Sequence, residues 1–197
     1  YRCDAEEKDQ LEAAMFPEGH GSLSGEVVAQ PASEIAEIAG IDNEETADAE
    51  FLVAEETGVG PEYPLSGEKL SVVLTAYRAS DFEDALEITS DILDFEGSGH
   101  SCGLHTTNDD HVDEIGAEMD VCRIMINQPI CYGNGGNFNN GMNFTLSMGA
   151  GTWGDNQLDE NLKYTHFINR TKVAEVIEED EPTEEELFGS YFEKYGK

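Results

Sequence analysis

Positive charge is what this chain has least of: ten Lys and Arg stand against 43 Asp and Glu, a formal net charge of −33 over 197 residues. That balance excludes a nucleic-acid backbone or an anionic membrane surface as a partner, because either would be repelled. Long hydrophobic runs are missing too. No apolar stretch approaches the ~18 residues of a membrane-spanning helix, and no basic-then-apolar leader stands near Tyr1, so a soluble, cytoplasmic chain is expected. The four cysteines, Cys3, Cys102, Cys122 and Cys131, show neither CxxC spacing nor a dense even framework. Reduced thiols are therefore expected, with no zinc site and no disulfide scaffold. No internal repeat is visible.

What is present is enough apolar material for a core: 39% of residues are hydrophobic, with nine Phe and seven Tyr. Disordered acidic chains lack that content. Self-repulsion of the carboxylates is tolerable where concentrated salt screens it, the Debye length falling to about 3 Å at 1 M. A folded, halophilic protein is the expectation, with the acidic run from Glu175 to Glu186 the one segment whose composition also suits disorder.

Hydrophobic periodicity predicts a helix from Asp4 to Phe16, with Leu11, Ala14 and Met15 on one side. Pro31 to Ala39 reads as a second, with Pro31 suited to a first turn and Gly40 to the stop. Phe51 to Ala54 is a short strand and Leu70 to Tyr77 a longer one. Ser80 and Glu83 have capping-box spacing before a helix carrying Phe82, Ala85, Leu86 and Leu93. Ser101 to Thr106 reads as strand, Asn108 as the cap of a helix bearing Val112, Ile115 and Met119, and Val121 to Ile126 as a nearly continuous apolar strand. This alternation predicts an α/β fold with a parallel sheet. Ligands of such sheets gather at the strands' carboxyl ends, here the loops starting near Arg78, Thr107 and Asn127. Thr183 and Glu186 form another capping box before a stripe of Leu187, Phe188, Tyr191, Phe192 and Tyr195, a helix expected to dock on its own protein or a partner subunit.

Several motifs read better as structure than as chemistry. Gly149 to Gly154 spells GxGxxG, but bulky Trp153 lies inside it and no second strand follows, so a dinucleotide fingerprint is not expected. Gly133 to Gly141 lacks the aspartates and repetition of a calcium-binding repeat. Cys131 has no local base to make it a thiolate, and Cys102 and Cys122 fall in predicted strands as core residues. Capping and dipole complementation account for Asp109 and Asp110, and no metal site is expected from His105, Asp109, Asp110 and His111.

The stretch from Val121 to Asn169, with its ordered glycines, asparagines and Trp153, resembles the C-terminal part of a CoA-acylating aldehyde dehydrogenase. So do Glu68 to Ala85, which opens Glu68-Lys69-Leu70-Ser71, and Gly99-His100-Ser101; Gly21 to Gln30 and Ile35 to Gly40 match more faintly. The resemblance implies a three-layer aldehyde dehydrogenase catalytic domain with a mostly parallel sheet over residues 1–174, then an acidic tail with an amphipathic helix over residues 175–197. It implies oxidation of a small aldehyde to its acyl-CoA with NAD or NADP, through a cysteine thioester, in a homo-oligomer, dimer or tetramer, with coenzyme A as co-substrate.

By the same resemblance, His100 takes the place of a Gly-His-Thr/Ser histidine near the active site. Glu68 takes that of the carboxylate holding the nicotinamide-side ribose hydroxyls, with Leu70 beside it. A solvated loop histidine and a surface glutamate are the plain readings of the two. The family's Cys-(Ala/Ser)-Ser-Glu-Gln motif is absent, so the nucleophile and cofactor domain are expected upstream of Tyr1, and this stretch is not expected to turn over alone. Ala150 stands where the family often has Cys, and Val72 where Pro often follows. Asn127-Gln128-Pro129 with Gly135 to Gly141 is closest to members acting on small polar aldehydes such as sulfoacetaldehyde or succinate semialdehyde. A noncatalytic remnant or assembly subunit, and a non-acylating semialdehyde dehydrogenase, are the alternatives.

Overall fold

A computed structural model describes residues 1–196. Residues 1–163 form one compact unit and the chain from Tyr164 a second. Asp4 opens α1 (Ala5–Met15): its carboxylate accepts from the backbone N–H groups of Glu6 and Glu7, while the Glu7 carboxylate takes the Asp4 N–H in return. Leu11 and Met15, one turn apart, point into the core. In α2 (Ala32–Ala39), Pro31 stands extended at the N-cap, one position before the expected first turn, and Gly40 closes the helix at φ 74°.

β1 (Leu52–Glu55) and β2 (Val73–Ala76) pair in parallel with Leu52 opposite Val73. Residues 1–3 run along the other edge of β1, with Val53 N–H donating to Tyr1 O and Cys3 N–H to Val53 O, each at 2.8 Å. Leu11, Met15, Val27, Ile35, Leu52, Leu65 and Val73 are the fully buried centre of this part. β2 is shorter than the apolar run that predicts it. Leu70 turns to φ 42° and its carbonyl accepts from Ala29 N–H, so the extended conformation begins only after it.

The helix α3 (Phe82–Glu96) starts one residue later than expected. Asp81, not Ser80, is the cap: its carboxylate accepts from Asp84 N–H at 3.0 Å, and Ser80 N–H donates to the Asp84 carboxylate at 2.7 Å. Both frames have capping spacing, and the charged acceptors prevail over the hydroxyl. β3 (Cys102–Leu104), α4 (Asp109–Glu118) and β4 (Ile124–Ile126) follow, with Asn108 capping α4 as predicted and β3 parallel to β4. Leu86, Cys102, Ile115, Met119 and Val121 form a second core, and His111 stacks on Phe82 at 3.9 Å across α3 and α4. The α/β class with parallel strands is thus observed, as two two-stranded sheets, β1-β2 and β3-β4.

Within the Gly/Asn-rich stretch lies a short helix, α5 (Ile130–Gly133), where a loop was expected. It doubles back over β3, where a Cβ on Gly103 would overlap Ile130. Residues 147–151 and 158–162 then pair antiparallel about Met148 and Asn161. The second unit contains α6 (Glu184–Tyr195), capped by the Thr183 and Glu186 box, with Leu187, Phe188, Tyr191 and Tyr195 exposed. Among the described residues no helix is long and apolar enough to cross a membrane.

Candidate functional site

His100 sits where three segments meet. Gly99, at φ 102°, has no room for a Cβ, because the Ala150 backbone fills that space, and Gly154 likewise yields to the Ala150 side chain. The loop after α3 and the turn at residues 149–154 therefore press together backbone on backbone. Arg123, 4% exposed, ties them: Nη2 donates to His100 O at 2.8 Å and to Gly149 O at 2.6 Å. Its Nε and Nη1 are buried without a partner among the described residues.

The His100 ring is exposed, with Nδ1 2.7 Å from Ser101 Oγ. Asn134 Nδ2 donates to that oxygen at 2.7 Å, and Asn161 Nδ2 donates to Asn134 O and to Asn143 O, both at 2.8 Å. Asn134 is 5% and Asn161 2% exposed. Burial first, and then the Arg123 cation, pull His100 below the ordinary imidazole pKa. A neutral ring near pH 7 follows, framed by buried polar groups and open on its other side. The arrangement suits hydrogen bonding to, or proton exchange with, a ligand atom.

Glu68 lies just before β2. The turn Pro64–Ser66 is buried, and Lys69 folds back on it, Nζ donating to Leu65 O at 2.8 Å and Gly67 O at 2.7 Å. Burial holds the Lys69 pKa below its ordinary value against the opposing pull of Glu96. Glu68 N–H donates to Glu96 Oε2 at 3.0 Å, which anchors the backbone and leaves the exposed carboxylate with no hydrogen bond among the described residues. Leu70 is 56% exposed at its left-handed φ. Both candidates border the end of α3, since Glu96 is four residues before His100.

The carboxyl ends of the strands are not where these residues lie. His100 and Arg123 precede β3 and β4, and Glu68 precedes β2. What occupies the carboxyl ends of β3 and β4 is a structural clasp, Asn127, whose side chain bonds both Thr106 N–H and Thr106 O. α5 returns over β3 and so delivers Asn134 to the amino end. Arg123, Asn134 and Asn161 were not singled out by sequence reasoning; the available signal was a charge inside the apolar run from Val121 to Ile126.

None of three cysteines is poised as a thiolate. Burial raises the Cys3 thiol to about 11 and pushes Cys102 upward, and burial with the Asp159 charge raises Cys122 against the pull of Arg123. Cys122 is half-buried before β4 rather than within a strand, its sulfur close beneath Gly151. Cys131 is exposed on α5. The GxGxxG glycines open no helix. A Cβ on Gly149 would overlap the Leu158 backbone, and Thr152–Gly154 is a single 3-10 turn. Among the described residues no group of three or more His, Cys, Asp or Glu is arranged to hold a metal ion.

No protein-family model matches the chain. It is 45% identical over 193 residues to the sulfoacetaldehyde dehydrogenase (acylating) of Cupriavidus necator, a match covering 98% of this chain and 39% of that protein. The enzyme of the same description from Bilophila wadsworthia is 36% identical over 200 residues, covering 100% of this chain and 43% of that protein. The crystal structure of an acetylating aldehyde dehydrogenase from Geobacillus thermoglucosidasius superposes with a TM-score of 0.82 at 32% identity, covering 93% of this chain and 39% of that one. The chain therefore spans about two fifths of the length of these relatives.

Proposed function

We propose that this chain, homologous over nearly its whole length to CoA-acylating aldehyde dehydrogenases, is the C-terminal portion of an enzyme oxidising sulfoacetaldehyde to its acyl-CoA with NAD or NADP. The observation that carries the reading is the similarity to the Cupriavidus necator protein, which covers 98% of the chain and so takes in the Glu68 and His100 segments. Residues 1–174 are then catalytic domain, and 175–197 a tail. The attacking thiol is assigned to the part of the relatives' length that this chain does not span, in keeping with the raised thiols of Cys3, Cys102 and Cys122.

The residues present fit the nicotinamide side of a dinucleotide. The Glu68 carboxylate, free of internal partners on an anchored backbone, has the lone pairs to accept from two ribose hydroxyls. Leu70 offers exposed apolar surface beside it. When bound, the dinucleotide accepts hydride. Lys69 is held on the carbonyls of Leu65 and Gly67, which keeps its ammonium off the Glu68 carboxylate. His100 supplies a neutral imidazole for the acyl-transfer half, on a loop held by Arg123.

The test is product analysis with the full-length protein. Sulfoacetaldehyde, NAD or NADP and coenzyme A are expected to give reduced cofactor and acyl-CoA in equal amounts, and reduced cofactor without coenzyme A only slowly. Free acid as the product, at a rate indifferent to coenzyme A, would establish the non-acylating alternative. No oxidation at all would favour the assembly subunit.

A further inference from the structure

We propose that Ser101 and Asn134 are positioning residues that fix the tautomer of His100, so that its neutral ring presents Nε2–H, a hydrogen-bond donor, to an acyl carbonyl oxygen on the open side of the site. The use of that donor rests on the acyl-transfer reading above; the tautomer itself does not.

A serine hydroxyl has one proton and two lone pairs. Asn134 Nδ2–H occupies a lone pair of Ser101 Oγ at 2.7 Å, and the other partner within reach is His100 Nδ1, also at 2.7 Å. Among the described residues Nδ1 is the one acceptor within reach of the hydroxyl proton, since Asn134 presents a donor, and the proton is accordingly assigned to Nδ1. A neutral imidazole that accepts at Nδ1 carries its own proton on Nε2.

The direction of the chain is set by Asn134, and Asn134 is held firmly. It is buried, its N–H donates to Ile130 O at 3.0 Å, and its carbonyl accepts from Asn161 Nδ2 at 2.8 Å. Its side-chain Oδ1 is buried without a partner among the described residues. The donor end of the amide is the one in use, towards Ser101. Arg123 fixes the rest of the loop through the His100 carbonyl, leaving the ring free to point outward.

The proton's position can be read without turnover, from the nitrogen resonances of 15N-histidine-labelled full-length protein at a pH where His100 is neutral. The expected spectrum has His100 protonated on Nε2, with Nδ1 shifted by the Ser101 hydrogen bond. Ser101→Thr should keep that pattern, and Ser101→Ala should move Nδ1 to the position of an unbonded nitrogen. Asn134→Asp replaces the donor by an acceptor, so Ser101 turns its proton away and the His100 proton moves to Nδ1. In that variant CoA-dependent acyl transfer should fall roughly 10²-fold, the size of losing one oxyanion donor, with KM for NAD unchanged. A proton on Nδ1 in the parent, or an Nδ1 resonance unmoved by Ser101→Ala, overturns the proposal. Inactivity of the parent with the expected spectrum would instead count against the acylating reading alone.

Discussion

Among the described residues Arg123 pairs with no carboxylate, in a chain where acids outnumber bases fourfold; its Nη2 serves the two carbonyls of His100 and Gly149 instead. Those partners lie 23 and 26 residues away, so no local pattern foretells them. Asn134 and Asn161 were hidden for the same reason, each bonded across more than 25 residues. Glu68 and His100 were singled out only through their neighbours in sequence, Lys69-Leu70-Ser71 and Gly99-Ser101, and as isolated residues both read as surface groups; their roles are proposals. The proposed role of Glu68 has a measurable size. Glu68→Gln weakens a charge-assisted acceptor by about 1.5–3 kcal/mol, which is roughly 10- to 150-fold in hydride transfer. Single-turnover NADH formation by the full-length protein at saturating NAD measures it, and a rate equal to the parent's would make Glu68 an ordinary surface acid.

Among the elements, helix starts were the most legible feature, because a cap is a local contract between residues three apart. Asn108, and Thr183 with Glu186, cap as expected, and the helix expected from Asp4 opens on a box of Asp4 with Glu7. Asp81 replaces Ser80 where two overlapping frames both satisfied the rule, and Pro31 stands at the N-cap of α2 rather than in its first turn. Strand lengths were less legible, since Leu70 belongs by composition to β2 and by φ to a turn. The α6 cap also makes a pH prediction. Thr183 N–H and hydroxyl bonds hold Glu186 below its ordinary pKa, so the cap's contribution is whole above that ordinary value and is lost as pH falls through the lowered one. Amide exchange should show α6 fraying from its N-terminus as pH drops from 6 towards 3, and Thr183→Ala should already be frayed at pH 6. Equal protection in the two proteins at pH 6 would remove the cap from the account.

For the whole molecule, alternation of strand and helix correctly indicated an α/β fold with parallel strands, but not which strands pair. With strands of three or four residues, the two sheets are specified by cores that form between distant segments, such as Leu52 with Val73 and Cys102 with Ile124. Charge is the other whole-molecule property. Among the described residues Arg2 and Arg78 both pair with Glu55, Lys8 with Glu56 and Lys163 with Glu160, and with 43 acidic residues against ten basic ones most carboxylates have no cation to match them. Screening should therefore stabilise the fold. We expect the thermal midpoint, followed by circular dichroism, to rise between 0.05 M and 3 M KCl; identical midpoints would end the proposal of halophily.

The turn that carries Trp153 has an optical consequence. It is the chain's sole tryptophan, 48% exposed, on the 3-10 turn Thr152–Gly154, whose Gly154 backbone lies against Gly99 beside His100. Tryptophan emission, excited beyond the absorption of the seven tyrosines, is thus a local signal rather than a global one: its wavelength and its quenching by small solutes report the water around one loop. Titrating salt while recording both emission and dichroism would separate the packing of that loop from the folding of the helices, with no label added.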